Sequence, residues 1–241
     1  MRKLLIILLL IPFLFSCDLF KKKEDTPAIS TGTDAQTTPT PTPTPEPEPE
    51  PTYGIIFKST QQLNGSGATS GTGAGLSAFD AICASEATSQ SLTGTFKALL
   101  SANGSRRACT TAFCSGGTAE NSNWPLLANT QYRRADKTTI IGTTNAGGVF
   151  TFPLTNSISD SNEDVWSGFE ADWRQHAWNC GDFSFDSSSN TSIKAGASDD
   201  TSDAINNGLY LACNLTQSFY CAEEVPPPPP PAQASHRVIF M

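Results

Sequence analysis

Cysteine content is the feature that most constrains how this chain can fold. The sequence has seven cysteines, and six of them follow the first third of the chain: Cys83, Cys109, Cys114, Cys180, Cys213 and Cys221. An even set in a region rich in Gly, Ser, Asn and Thr predicts three disulfides if the chain is exported. Counting alone leaves the connectivity open, and Cys109 with Cys114 is the easiest local pair. Cys17 is left over.

The first sixteen residues have the layout of a secretory signal. Arg2 and Lys3 make a basic start, residues 4–15 form an apolar run, and Ser16 is a small residue directly before Cys17. The run is too short to cross a hydrocarbon core of about 30 Å as a helix. We therefore expect residues 1–16 to be a signal peptide and the chain to be exported.

The residues around Cys17 also suggest what this cysteine does. Leu14, Phe15, Ser16 and Cys17 resemble a bacterial lipobox, although Phe15 departs from the usual small residue, as the looser lipoboxes of spirochaetes allow. The resemblance implies a lipoprotein signal peptide, cleaved before a diacylglycerylated and N-acylated Cys17, and several acyl chains on one residue anchor a protein firmly in a bilayer. The alternative is a plain secretory signal followed by an accidental cysteine. We expect a bacterial cell-envelope location, in the outer membrane and exposed at the cell surface.

Two segments of the chain lack the composition to form a core. Residues 17–52 end in alternating Thr-Pro and Glu-Pro pairs, which favour a stiff polyproline II spacer. Such a spacer could lift a domain clear of surface polysaccharide, or it could be a linker of no selected length. Residues 225–241, with six consecutive prolines from Pro226, are predicted to be a disordered tail.

Residues 53–224 are predicted to form one domain. "YGIIFKS" places Tyr53, Ile55 and Phe57 on one face of an opening strand. Ser77 could cap a helix that carries Cys83 on its inward face. The period of "TFKALLS" fits a strand and a helix equally well.

The second half of the domain predicts short strands. "QYRRADKTTIIG" and "LYLACNLTQSFYC" are each expected to form a hairpin. Short strands, one or two helices, long irregular loops and disulfides indicate an α+β domain.

Several segments, in this order, resemble a known family: "GLSAFDAIC", "LTGTFKALLS", "DVWSGF" and "LACNLTQSFYCAEE". They are similar to a domain of unknown function in leptospiral lipoproteins and, more distantly, to the collagen-derived endostatin domain, which has a C-type-lectin-like fold. The resemblance implies that "TFKALLS" is a strand. It also implies nested disulfides, Cys83 with Cys221 and Cys180 with Cys213, whereas Cys109 with Cys114 rests on proximity.

The net charge of the chain and a missing calcium motif disfavour several classes of ligand. The formal net charge of −8 makes nucleic acid, heparin-like polymers and anionic lipid heads poor partners. The calcium motif of sugar-binding C-type lectins is missing, because Trp178 and Asn179 are followed by Cys180 and the only domain prolines are Pro125 and Pro153. No cofactor is expected, and zinc is disfavoured by the single domain histidine.

Calcium elsewhere in the domain is an alternative that the sequence leaves open. Acidic residues are frequent in the predicted loops, but their spacing matches no ligand loop, so solvated acidic loops are favoured. They are Asp160, Glu163, Asp164, Asp182, Asp186, Asp199, Asp200 and Asp203.

Trp173, His176 and Trp178 are the candidate ligand surface. Trp166 is expected in the core, whereas Trp173 and Trp178 could each be core residues or exposed anchors. We expect no enzyme, since no catalytic motif accompanies His176. The favoured function is a surface lipoprotein that binds an extracellular protein or glycan. The alternatives are a structural or protective envelope protein and, less favoured, a hydrolase around His176.

Overall fold

The computed structural model describes residues 53–71, 73–102, 104–187 and 192–227. It contains eight strands and two helices, with two short 3-10 helices at Ala112–Cys114 and Gly117–Glu120. The strands are β1 (Gly54–Lys58), β2 (Phe96–Ala98), β3 (Gln131–Arg133), β4 (Ile140–Thr143), β5 (Asp164–Trp166), β6 (Ser192–Ala197), β7 (Tyr210–Ala212) and β8 (Ser218–Glu223), and the helices are α1 (Leu76–Ser89) and α2 (Cys180–Phe183). The α+β prediction is therefore confirmed. The predicted signal peptide, Cys17, the spacer and most of the tail lie outside the described residues.

The last strand, β8, lies at the centre of a mixed sheet with the order β4-β3-β1-β8-β5-β6-β7. One edge of β8 pairs antiparallel with β1. The other edge pairs with β5 in parallel at Phe219 and then with β2 antiparallel at Cys221. Both edges of β8 are thus fully used by strands from earlier parts of the chain.

Both faces of the central strands are buried. Ile55 and Phe57 belong to the apolar cluster that also contains Phe79 and Cys83 of α1, whereas Ile56 belongs to the cluster on the opposite face. The alternation predicted for the opening strand is confirmed. Because successive side chains of a strand point to opposite faces, this one strand contributes to two cores.

Two of the three disulfides join distant parts of the domain, and the third closes a short loop. Cys83 of α1 bonds to Cys221 of β8, Cys180 of α2 bonds to Cys213, and Cys109 bonds to Cys114. The first two pairs are those that the family resemblance implied, and the third is the one expected from proximity in the sequence. Cys83 is fully buried, as expected for the inward face of a helix. None of the helices in the described ranges is long and apolar enough to span a membrane.

The start of α1 differs from the prediction. The helix begins at Leu76 after Gly75, whose φ is 65°, and Ser77 donates its hydroxyl proton to the carbonyl of Ala74 instead of capping the helix. Ser77 lies inside the first turn. The carboxylate of Asp80 binds the buried Arg106.

Of the predicted hairpins, only the first forms. β3 and β4 pair antiparallel around a turn that Asp136 stabilises by accepting bonds from Thr138 and Thr139. β7 and β8 do not pair, so that prediction is wrong: β7 pairs with β6. The physical reason is that β8 has no free edge. The "TFKALLS" segment contains a strand, β2, as the resemblance implied.

Candidate functional site

The structure separates the residues predicted to form a ligand surface. Trp173 is only 1% exposed, and its ring packs against Trp124, Phe150 and Phe169. Its indole N–H donates to the carbonyl of Phe150 at 2.8 Å. The prediction of Trp173 as part of a ligand surface is therefore wrong, because surrounding aromatic rings bury it and its polar atom is satisfied internally. Trp178, by contrast, is 56% exposed.

Trp178 belongs to an aromatic triad with His176 and Tyr210. The ring centroids lie 5.7 Å apart for His176 and Trp178, 5.3 Å for His176 and Tyr210, and 5.7 Å for Trp178 and Tyr210. The rings are tilted or edge-on to one another, which is the arrangement that aromatic quadrupoles favour. Tyr210 is also exposed, so two of the three rings offer surface to a ligand.

His176 holds this triad together. The backbone N–H of Trp178 donates to its Nδ1 at 3.0 Å, and its Nε2 lies 3.3 Å from the Tyr210 hydroxyl oxygen. The Glu170 carboxylate is 3.5 Å from the same Nε2. The carbonyl oxygen of Trp178 lies 3.3 Å from Nδ1 as well, so both nitrogens of the His176 ring contact polar groups.

Exposed apolar side chains concentrate around one disulfide. Of the six large hydrophobic residues exposed in the described part of the chain, five lie within five positions of Cys180 or Cys213. We call these residues the Cys180–Cys213 surface: Trp178, Phe185, Leu209, Tyr210 and Leu215. Both cysteines are themselves fully buried. Clusters of exposed apolar side chains on a folded domain mark interaction sites.

The backbone under this surface has an unusual conformation. All four residues of α2 have positive φ, at 56° for Cys180, 59° for Gly181, 61° for Asp182 and 60° for Phe183. This is one left-handed turn, which disfavours residues other than glycine. Two interactions stabilise this turn: the disulfide at Cys180, and a hydrogen bond from the amide of Asp182 to Asn179 Oδ1 at 3.0 Å.

Two open clefts meet beside the triad. The first has a volume of about 520 Å³ and is lined by Gln175, His176, Ala177, Asn179, Gly181 and Asp182. The second, of about 560 Å³, is lined by Arg107, Cys109, Thr110, Glu170, Arg174, Gln175, His176 and Ala177. Residues 175–177 line both clefts. Each volume lies in the range of small-ligand sites.

A family model described as "Protein of unknown function (DUF1554)" matches residues 66–203, which is more than half of the chain. The chain belongs to the DUF1554 family. A search of curated proteins finds no match. The matched part of this DUF1554 chain includes His176, Trp178 and Cys180, whereas Tyr210 and Cys213 lie beyond it.

The acidic loop residues of the DUF1554 chain contact its own groups. Asp160 binds Arg134, Glu163 binds Lys58, and Asp200 accepts bonds from two backbone amides. The bond from Lys58 lowers the pKa of Glu163. Throughout the described ranges, no group of three or more His, Cys, Asp and Glu side chains could hold a metal ion.

Sequence reasoning missed Tyr210, Phe185, Leu209 and Leu215 as members of the site. The available signal was their position beside Cys180 and Cys213, since a disulfide brings the residues flanking both cysteines into one place. In this DUF1554 structure His176 contacts the backbone amide and the ring of Trp178, the Tyr210 hydroxyl and the Glu170 carboxylate, an arrangement that supports an aromatic surface.

Proposed function

We propose that this chain is a bacterial surface lipoprotein, anchored by acylated Cys17, whose domain binds an extracellular protein or glycan through the Cys180–Cys213 surface. It is not an enzyme in this proposal. The observation that carries it is the concentration of five exposed apolar side chains around one buried disulfide. Aromatic residues dominate the energy of many binding surfaces because they bring large rigid contact areas.

The proposal includes a C-type-lectin-like, endostatin-like fold for the domain. Support comes from the nesting of the disulfides, since Cys83 of the first helix bonds to the last cysteine and Cys180–Cys213 lies inside that loop. Further support is the antiparallel pairing of the first strand with the last, Phe57 opposite Cys221. The lipobox-like residues before Cys17 and the proline-rich spacer support anchoring and display.

Binding is tested with the purified full chain against a panel of immobilised extracellular-matrix proteins and glycans. We expect saturable binding to at least one of them, weakened about tenfold or more by Trp178→Ala, which is about 1.4 kcal/mol or more. Phe113→Ala is the matched control, because Phe113 is an exposed ring outside the Cys180–Cys213 surface. Absence of saturable binding to every member of the panel would remove the proposed function.

Anchoring is tested separately by replacing Cys17 with Ser. The wild-type chain should incorporate labelled fatty acid and remain in the membrane fraction, whereas Cys17→Ser should lose the label and leave that fraction. Equal labelling of both proteins would contradict the lipid anchor without touching the binding proposal.

A further inference from the structure

The cleft beside the aromatic triad combines two kinds of surface that seldom occur together. Its lining is polar, with Gln175, Asn179 and Asp182 among the six described residues that line it. Exposed flat rings lie beside it: the Trp178 ring contacts the ring of His176 in the lining, and the Phe185 ring lies over Gly181, where an added Cβ would be 2.2 Å from it. A ligand that fits must therefore have a hydrogen-bonding edge and an apolar face.

The polar groups of the cleft are held in position before a ligand arrives. Asn179 is buried, and its Nδ2 donates to Asp182 Oδ1 at 2.7 Å and to the carbonyl of Ser101 at 3.2 Å. Gln175 Nε2 lies 3.5 Å from the same Asp182 oxygen. Within the described part of the chain, Gln175 Oε1 accepts no hydrogen bond, so it is available to a ligand hydroxyl. Preorganised groups of this kind lower the ordering cost of binding.

The flat rings are fixed as well. His176 binds the backbone amide of Trp178 through Nδ1 and faces the Tyr210 hydroxyl through Nε2. The disulfide between Cys180 and Cys213 ties together the two segments that carry these rings. Trp178 and Tyr210 thus keep a defined separation of 5.7 Å between their centroids.

We propose that this cleft binds a sugar ring of a neutral glycan by direct contacts, an inference that rests on the function proposed above. A pyranose has hydroxyl groups around its edge, which match the amide and carboxylate groups of Gln175 and Asp182, and an apolar C–H face, which stacks on an aromatic ring. Calcium, which takes about six to eight oxygen ligands, fits less well, because Asp182 is the only carboxylate among the lining residues that the structure describes.

Other ligand classes fit the cleft less well. An apolar peptide side chain would leave the polar lining desolvated without partners. A nucleotide or another strongly anionic ligand would meet a chain with a net charge of −8. A neutral sugar satisfies the lining and meets no electrostatic repulsion.

The test uses the purified full chain and immobilised neutral oligosaccharides that end in glucose, galactose, mannose or N-acetylglucosamine. We expect saturable binding to at least one, unchanged by a calcium chelator. Trp178→Phe keeps a flat ring and should bind within about threefold of the wild type, whereas Trp178→Leu, which keeps apolar area but no flat face, should bind about tenfold or more weakly. Gln175→Ala should weaken binding similarly, and Phe113→Ala should not.

The outcomes separate this inference from the proposed function. Matrix proteins are tested before and after enzymatic removal of their glycans. Binding that survives glycan removal and is abolished by Trp178→Ala would overturn the sugar inference and leave the binding function intact. Equal affinities for Trp178→Leu and Trp178→Phe, loss of binding on chelation, or no binding to any of the oligosaccharides would each overturn the sugar inference too. Binding to nothing in either panel would overturn both.

Discussion

The guanidinium of Arg106 binds the carboxylate of Asp80 through two parallel hydrogen bonds, 2.9 Å and 2.7 Å long. The Arg106 side chain is fully buried and also donates to the carbonyls of Ala98 and Asn123. This one residue therefore connects α1 to β2 and to the loop that follows the Cys109–Cys114 disulfide.

Removing the Asp80 carboxylate should destabilise the domain strongly. Asp80→Ala leaves a buried guanidinium without its anion, which costs about 3 kcal/mol or more. The control is Lys97→Ala, since the Lys97–Glu224 pair is more exposed and pairs of that kind contribute less than about 1 kcal/mol. Urea unfolding measures both. Similar losses for the two variants would contradict the role given to Arg106.

The three disulfides should contribute to stability in the order of the loops they close. The cysteines are 138, 33 and 5 positions apart for Cys83–Cys221, Cys180–Cys213 and Cys109–Cys114. In the chain-entropy model, replacing each pair by alanine costs about 5, 4 and 2 kcal/mol respectively. Chemical denaturation of the three double variants gives the order. A larger loss for the shortest loop than for the longest would refute this ranking.

Trp173 and Trp178 should behave oppositely when replaced by alanine. Trp173→Ala opens a cavity among the rings of Trp124, Phe150, Phe152 and Phe169 and should cost about 3–5 kcal/mol of unfolding free energy. Trp178→Ala removes an exposed ring and should change that free energy by no more than about 0.5 kcal/mol. Thermal unfolding distinguishes them. An unchanged unfolding free energy for Trp178→Ala would also show that the weaker ligand binding of this variant does not result from unfolding.

Glu120 should make the free energy of unfolding depend on pH in the acidic range. Its carboxylate accepts bonds from the hydroxyl and amide of Thr111 and from the amide of Gly116, and these lower its pKa from 4.5 to about 2 against the opposing effect of burial. A lowered folded-state pKa stabilises the protein above pH 4.5, and this contribution is lost as the pH falls toward about 2. The difference in unfolding free energy between wild type and Glu120→Gln should therefore shrink over that interval. A difference that stays constant there would be evidence against the assignment.

Local patterns in the sequence were sufficient to predict several elements. The alternation in "YGIIFKS" predicted β1, helical spacing placed Cys83 on the inward face of α1, and the "QYRRADKTTIIG" hairpin formed as expected. Each of these features depends on residues that are close together in the chain. Sequence periodicity reports such short-range geometry well.

Elements that depend on distant partners were predicted less well. β7 and β8 looked like a hairpin because they are adjacent in sequence, but β8 finds its partners in β1, β2 and β5, far away in the chain. Trp173 and Trp178 are the same residue type and lie close together in the sequence. Only Trp173, however, packs against Phe150 and Trp124. Tertiary packing decided both cases, and no local pattern encodes it.

The position of β8 has a consequence for how the protein is made. The centre of the sheet is the last strand to leave the ribosome, and β1 must wait for residues up to Glu223 before it can pair along that edge. Sheets dominated by such non-local pairings fold slowly. The pairing of β1 with β8 can therefore form only after residues 218–223 have been synthesised. The Cys83–Cys221 bond can close no earlier, because Cys221 lies on the same strand.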